Sequence, residues 1–158
     1  DKIELHLIGH LQSNKVRKAV ELFDVIQTVD SIKLAGRINS ICKENHINQQ
    51  IYLQVNTGED FNKHGISVKN VNSVAQEITK MENLILGGIM TIPPYNMATT
   101  ELRIIYRKTR KIRDKIRSTI NEDCQNLSMG MSNDYEIAIK EGATHIRIGR
   151  ALFGERKK

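Results

Sequence analysis

Short runs rich in β-branched residues alternate along this chain with longer stretches whose apolar residues recur every three or four positions. The first run covers residues 4–9, and a helix is predicted from about Ser13 with Val16, Ala19 and Val20 on one side. Residues 24–29 form the next strand. Ser31 then caps a helix reaching about Asn45, its apolar face made by Ile32, Ala35, Ile38, Ile41 and Cys42. A third strand covers residues 50–56 and is followed by a polar loop over 57–65. Ser67 starts a helix with Val71, Val74, Ala75 and Ile78 inward. The fourth strand, residues 83–91, contains Gly87 and Gly88, a pair that signals close backbone approach or a bend. After Pro93-Pro94 a long helix runs from about Thr100 to Asn121. Residues 125–129 are the fifth strand, and Ser132 caps a helix with Asp134 in its first turn that ends near Gly142. Residues 144–148 are the sixth strand.

Six strands alternating with helices imply an α/β fold with a parallel sheet, because parallel neighbours need crossover connections. No internal boundary or repeat interrupts residues 1–158, so a single domain is expected. Two architectures fit: an open doubly wound sheet, or a TIM-type (β/α)8 barrel. Six units do not close such a barrel, so the second reading expects about two further units beyond these.

Composition narrows the class. With 39% hydrophobic and 27% charged residues the chain reads as an ordinary soluble protein, and no apolar run approaches the roughly 20 residues of a membrane span. Asp1 to Glu4 carries both charge signs and lacks a signal-peptide pattern, and the missing initiator Met suggests a fragment or processed product. Cys42 and Cys124 have no partner at metal-ligand spacing, so a reducing compartment and cytoplasmic location are expected, with both thiols structural. The net charge is +6, and residues 103–117 hold eight of the 24 Lys and Arg. Ile105, Ile112 and Ile116 give that helix one apolar face, which favours a solvated basic surface over nucleic-acid binding. At 4%, aromatics leave few platforms for stacking bases.

The chemistry concentrates at the last two strand-to-helix junctions. Residues 128–134 (Ser-Met-Gly-Met-Ser-Asn-Asp) combine two hydroxyls, a glycine and a helix start. That set suits a phosphate, although Ser132 as a mere N-cap is the plainer reading. In residues 147–151, strand alternation puts Arg147 and Gly149 on one side, and the backbone N–H groups of Gly149 and Arg150 face a potential anion. An inward Arg147 is a costly charge unless a ligand or an acid meets it. After the last two strands of a barrel is where such folds often bind phosphate. Walker and dinucleotide patterns are absent. His6 and His10 are about 13 Å apart on a strand, too far to share a metal. His46, His64 and His145 show no cluster, no Ser-His-Asp set is evident, and Lys63 reads as a surface lysine more readily than as a ligand contact.

Residues 6–15 (HLIGHLQSNK), 59–65 (EDFNKHG), 88–93 (GIMTIP), 127–132 (LSMGMS), 147–149 (RIG) and 153–156 (FGER) together resemble the YggS/PROSC family. These are pyridoxal phosphate homeostasis proteins, related to the N-terminal barrel of alanine racemase. The resemblance covers nearly the whole chain. It implies a TIM-type barrel truncated to about its last six units, which binds pyridoxal 5′-phosphate (PLP) at its C-terminal rim. Ser128, Ser132 and the backbone at Met131, Gly149 and Arg150 would hold the phosphate. Arg147 would sit near the pyridine nitrogen and keep it unprotonated. The Schiff-base lysine is expected upstream of Asp1. Arg150 stands where the family usually has a small residue such as threonine. The implied role is a cofactor carrier or buffer without established catalysis. The alternatives are a racemase-like enzyme, and nucleic-acid binding through helix 103–117. No metal and no membrane partner are expected. A full-length parent is expected to be monomeric, whereas open strand edges would favour self-association of this segment.

Overall fold

The computed structural model describes residues 3–154. Asp1, Lys2 and residues 155–158, which include the end of the 153–156 motif, lie outside the described residues. The elements in chain order are β1 (His6–Leu7), α1 (Val16–Leu22), β2 (Val25–Val29), α2 (Ile32–Glu44), β3 (Gln49–Asn56), β4 (Ile66–Ser67), α3 (Val71–Ile78), β5 (Leu84–Met90), α4 (Thr99–Thr119), β6 (Asn126–Met131), α5 (Tyr135–Lys140), β7 (His145–Arg147) and α6 (Arg150–Phe153). A 3-10 turn, Ser13–Lys15, leads into α1.

The strand order β1-β2-β3-β5-β6-β7 is sequential and every pairing is parallel, with β4 beside β3. A doubly wound sheet reverses its strand order at a switch point, and this one does not. The sheet also curls. His6 on β1 and His145 on β7 belong to opposite edges, yet their ring centroids lie 5.6 Å apart, and Tyr52 of β3 meets both at 6.4 and 5.8 Å. Those observations select the partial TIM-type barrel over the doubly wound sheet.

The two faces of the curled sheet bury different things. Ile26, Ile51, Leu53, Ile89, Leu127 and Met129 point outward and join the helices in one core with Ala35, Ile38, Ile41, Ala75, Ile78 and Ile116. Val25, Tyr52 and Met90 form a separate inner cluster. Strand alternation produces this division, since neighbours in sequence face opposite sides. Ser31 caps α2 as the pattern predicts, its hydroxyl accepting from the Leu34 N–H at 3.2 Å. A chain of hydroxyls fastens α4 to the sheet: Thr109 donates to Thr57 at 3.1 Å, Thr57 donates to Thr91 at 2.7 Å, Thr91 donates to the Val55 carbonyl at 2.9 Å, and all three threonines are buried.

Two helix starts differ from the expected ones. Residues Ile66–Ser67 pair with Val55 and Asn56 as β4, which buries Ile66 and delays the helix to Val71. Likewise α5 begins at Tyr135, after Asp134, because the Ser132 hydroxyl is engaged elsewhere. The paired glycines behave as expected. The β3–β5 register skips a residue at Gly87, and a Cβ on Gly88 would stand 2.6 Å from the Asn126 carbonyl oxygen on β6.

The basic helix α4 is largely occupied with its own protein. Arg107 Nε pairs with Glu141 at 2.8 Å, Arg110 donates to the Glu141 carbonyl at 3.1 Å, Lys108 reaches Glu59 at 3.0 Å, and Arg113 donates to the Gln125 carbonyl. Glu141 is buried, and the hydrogen bond from Arg107 holds its carboxyl below the usual range, against the opposing effect of burial. Both cysteines are buried, and burial pushes the Cys124 thiol up to about 12, as suits structural thiols. No helix among the described residues is long and apolar enough to cross a membrane.

Three outcomes follow from this packing. Gly88→Ala must push β5 from β6 and is expected to cost about 1–3 kcal/mol, read from urea midpoints. Gly36→Ala, in α2 with nothing within 4 Å, is expected to be neutral or to stabilise by up to about 1 kcal/mol. Glu141 has a lowered pKa, so its contribution is complete above the ordinary glutamate value and is lost as pH falls through the lower folded one. Glu141→Gln is therefore expected to reduce stability at pH 7 and to flatten the loss on acidification below about pH 4.3, in urea titrations at each pH.

Candidate functional site

A cavity of about 820 Å³ opens at the C-terminal ends of the strands, lined by Lys63, Tyr95, Ser132, Asp134, Arg147 and Arg150 among others. Loops gather there because every parallel strand ends on the same rim.

Arg147 forms the floor. Its place on β7 turns the side chain into the curled sheet, where Nη1 donates to Ser128 Oγ at 2.8 Å and Nη2 to the Thr91 carbonyl at 2.9 Å. One guanidinium thus ties β7 to β6 and to the residue after β5. Burial lowers its pKa from an ordinary value far above neutrality, while Tyr106 and Asp134 act in the opposite sense. Arginine stays charged under such conditions. Among the described residues it forms no ion pair: its bonded acceptors are neutral, and the Asp134 carboxylate of the same cavity acts on it only from a distance.

The next layer is Ser132. Its Oγ accepts from the backbone N–H of Gly149 at 3.3 Å and of Ala151 at 3.1 Å. Two N–H donors from the loop after β7 therefore converge on one oxygen supplied by the loop after β6. The Met131 N–H is taken by Asp134 Oδ1 at 2.6 Å, which closes the turn before α5. Gly130 makes that turn with φ +94°, and a Cβ there would collide with Ala138 at 2.6 Å. With six and four residues, α5 and α6 sum few peptide dipoles, so individual N–H groups carry the local polarity.

Of the predicted site residues, Met131, Ser132, Arg147, Gly149 and Arg150 line the cavity. Ser128 does not: it is fully buried beneath Arg147 and orients the guanidinium. Ser132 is not the helix cap expected of it. Arg150 has an exposed side chain at the start of α6. Lys63 is no plain surface lysine, since it lines the cavity and donates to the Pro93 carbonyl at 2.6 Å.

Sequence spacing missed several further groups. His6 and His145 meet inside the sheet, with His6 Nδ1 2.7 Å from the Gln27 amide nitrogen. Burial and then the neighbouring His6 lower the His145 pKa, and burial raises Tyr52 to about 12. The buried Tyr106 hydroxyl of α4 has no hydrogen-bond partner in good geometry among the described residues, and burial followed by the Asp134 charge raises its pKa. His64 is not isolated either: its ring stacks on His10 at 4.0 Å, and both rings turn Nδ1 toward Asp30. His10, Asp30 and His64 follow the ends of different strands. Rim position was the available signal, and linear spacing hid it.

The family model described as "Alanine racemase, N-terminal domain" matches residues 2–157. The chain is 39% identical over 155 residues to the pyridoxal phosphate homeostasis protein of Aquifex aeolicus, covering 98% of this chain and 68% of that protein. It superimposes on the structure of PipY from Synechococcus elongatus PCC7942 with PLP bound, with TM-score 0.88 and 34% identity over 96% of this chain and 71% of PipY. An alanine racemase of Clostridium difficile 630 shares the fold, with TM-score 0.81 at 13% identity over 99% of this chain and 43% of the racemase. The chain thus spans about two thirds of the length of the first two relatives.

Arg147→Lys tests the floor. Lysine keeps the charge but presents a single nitrogen on a flexible stem, a poor match to the Ser128 and Thr91 acceptors held by the planar fork. A loss of about 1–2 kcal/mol is expected from chemical unfolding.

Proposed function

The chain belongs to the alanine racemase N-terminal domain family, among its pyridoxal phosphate homeostasis proteins, and from that membership we propose that it binds PLP in the rim cavity as part of a cytoplasmic cofactor carrier without catalysis of its own. The observation that carries this reading is the pair of N–H groups, Gly149 and Ala151, converging on one oxygen in the cavity that the Arg147 guanidinium also lines. A phosphate oxygen satisfies the same donors that Ser132 Oγ now satisfies, and Ser132 then turns its hydroxyl proton to the anion. The cavity volume lies within the range of small-molecule sites, roughly 300–1,000 Å³.

The residues divide the work. Ser132 and the backbone at Gly149 and Arg150 hold the phosphate, and the Met131 N–H joins them only where its bond to Asp134 Oδ1 opens. Ser128 acts through Arg147, whose fork it fixes. Arg147 would lie toward the ring nitrogen, where a permanent cation would keep that nitrogen unprotonated. When bound, PLP supplies an electron-withdrawing ring, and an unprotonated nitrogen weakens that capacity, which suits storage better than turnover. The lysine that bonds the cofactor covalently lies upstream of Asp1 in this reading. The exposed Arg150 side chain adds little to the backbone contact.

Equilibrium dialysis with PLP, pyridoxal and inorganic phosphate tests the proposal. PLP is expected to bind at least about tenfold more tightly than pyridoxal, a difference of about 1.4 kcal/mol. Ser132→Ala should weaken PLP and phosphate alike. Arg147→Met should weaken PLP more than phosphate, and Arg150→Thr should change either by less than about twofold. Unchanged PLP affinity in both Ser132→Ala and Arg147→Met would overturn the site.

A further inference from the structure

Three loops on the β1–β3 side of the rim bring together side chains that PLP binding does not use. His10 follows β1, Asp30 follows β2, and His64 lies in the loop after β3. Their ligand atoms all lie within 4.8 Å of one another. Asp30 Oδ2 is 3.7 Å from His10 Nδ1 and 3.8 Å from His64 Nδ1. The two imidazoles stack at 4.0 Å with 15° between their planes, so both present the same nitrogen to one carboxylate.

Hydrogen bonding does not account for the arrangement. Separations of 3.7 and 3.8 Å are too long for N–H···O bonds. Among the described residues no hydrogen bond reaches the Asp30 carboxylate, although its side chain is only 17% exposed. A partly covered carboxylate that no protein donor meets keeps its lone pairs available to a cation. A single cation between the three groups engages both imidazoles and the carboxylate at once.

The spacing fits a small transition-metal ion. Bonds of about 2.0–2.1 Å at tetrahedral angles put ligand atoms about 3.3 Å apart, a few tenths closer than His10 and His64 now stand to Asp30. The near-parallel rings do not yet aim their Nδ1 lone pairs at one point, and both are accessible, at 46% and 60% exposed, so ligation takes a rotation of each exposed ring out of the stack. The loops are otherwise held in place. Thr28 Oγ1 donates to the Gly9 carbonyl at 2.9 Å, beside His10, and Gln54 Nε2 donates to the His64 carbonyl at 3.2 Å. Gly65 turns the chain at φ +131°, where a Cβ would meet the Asn56 nitrogen at 2.8 Å. Two imidazoles and one carboxylate favour Zn2+ and its first-row neighbours over Mg2+ and Ca2+, which take oxygen ligands. Three protein ligands leave a further position to water or a solute.

We propose that His10, Asp30 and His64 form a three-ligand site for Zn2+ that pins the loops after β1, β2 and β3 to one another. The site stands apart from the anion cradle at β6 and β7, and does not depend on PLP binding. It adjoins the cavity through Lys63, the neighbour of His64 in sequence and a residue of the cavity wall.

The test is titration of the tag-free 158-residue chain with ZnCl2 and with MgCl2, by calorimetry and thermal unfolding. Zn2+ is expected to bind one equivalent per chain and to raise Tm, with no response to Mg2+. Asp30→Asn and His64→Gln are each expected to weaken Zn2+ binding at least about tenfold and to remove the Tm rise. His46→Gln, away from the cluster, should retain both. Absence of stoichiometric Zn2+ binding, or binding unaltered in Asp30→Asn and His64→Gln, would overturn the proposal. Should Asp30→Asn fail to fold, His10→Gln joins His64→Gln as the second exposed-loop variant and decides the same question.

Discussion

A positive charge held inside a curled sheet by neutral partners is the constraint on which the rest of this molecule turns. Arg147 reaches from β7 to Ser128 on β6 and to the carbonyl of Thr91 beyond β5. Both acceptors are uncharged, so among the described residues the guanidinium is oriented by neutral partners while Asp134 acts on it from nearby. A flat sheet would not serve, because side chains on one face of separate strands diverge rather than converge. Curling brings the inward residues of β1, β3 and β7 within ring contact and makes the interior a place where polar groups meet. The outward residues pack aliphatic side chains against the helices and supply the burial that holds the curl.

The rim then divides by strand. The loops after β6 and β7 share one oxygen between two backbone donors, with Gly130 allowing the close turn between Met131 and α5. The loops after β1, β2 and β3 instead gather imidazole and carboxylate around Asp30. One half offers positive charge and N–H donors, and the other offers lone pairs. The basic character of the chain has a structural use between them, since α4 spends much of its charge on Glu141, Glu59 and the Gln125 carbonyl. That occupation removes much of the ground for reading helix 103–117 as a nucleic-acid surface.

Much of this was legible in the chain. Periodicity located α2, α3 and α4 through residues such as Ile38, Val74 and Ile112, because an apolar stripe at helical spacing has few other uses. Ser31 was legible as a cap because its partner lies three residues away. Ser132 was not, because the same residue type in the same local setting bonds across 17 and 19 residues to another loop. His64 was hidden for the same reason, since its neighbours His10 and Asp30 are distant in sequence. Ser67 was drawn into β4 by the pairing of Ile66 with Val55, a contact no local pattern announces.

By itself, then, the sequence determined the alternation of strands and helices, the parallel sheet, the glycines at close approaches, and the two junctions rich in hydroxyl, glycine and arginine. Those features depend on local backbone preference and on period, which neighbouring residues carry among themselves. Only the tertiary structure decided between an open wound sheet and a curled one, set Ser128 beneath Arg147 and Ser132 across from Gly149, and joined His10, Asp30 and His64. Each of those outcomes is a meeting of strand ends far apart in the chain, and curvature of the sheet, which no single segment encodes, determines which ends meet.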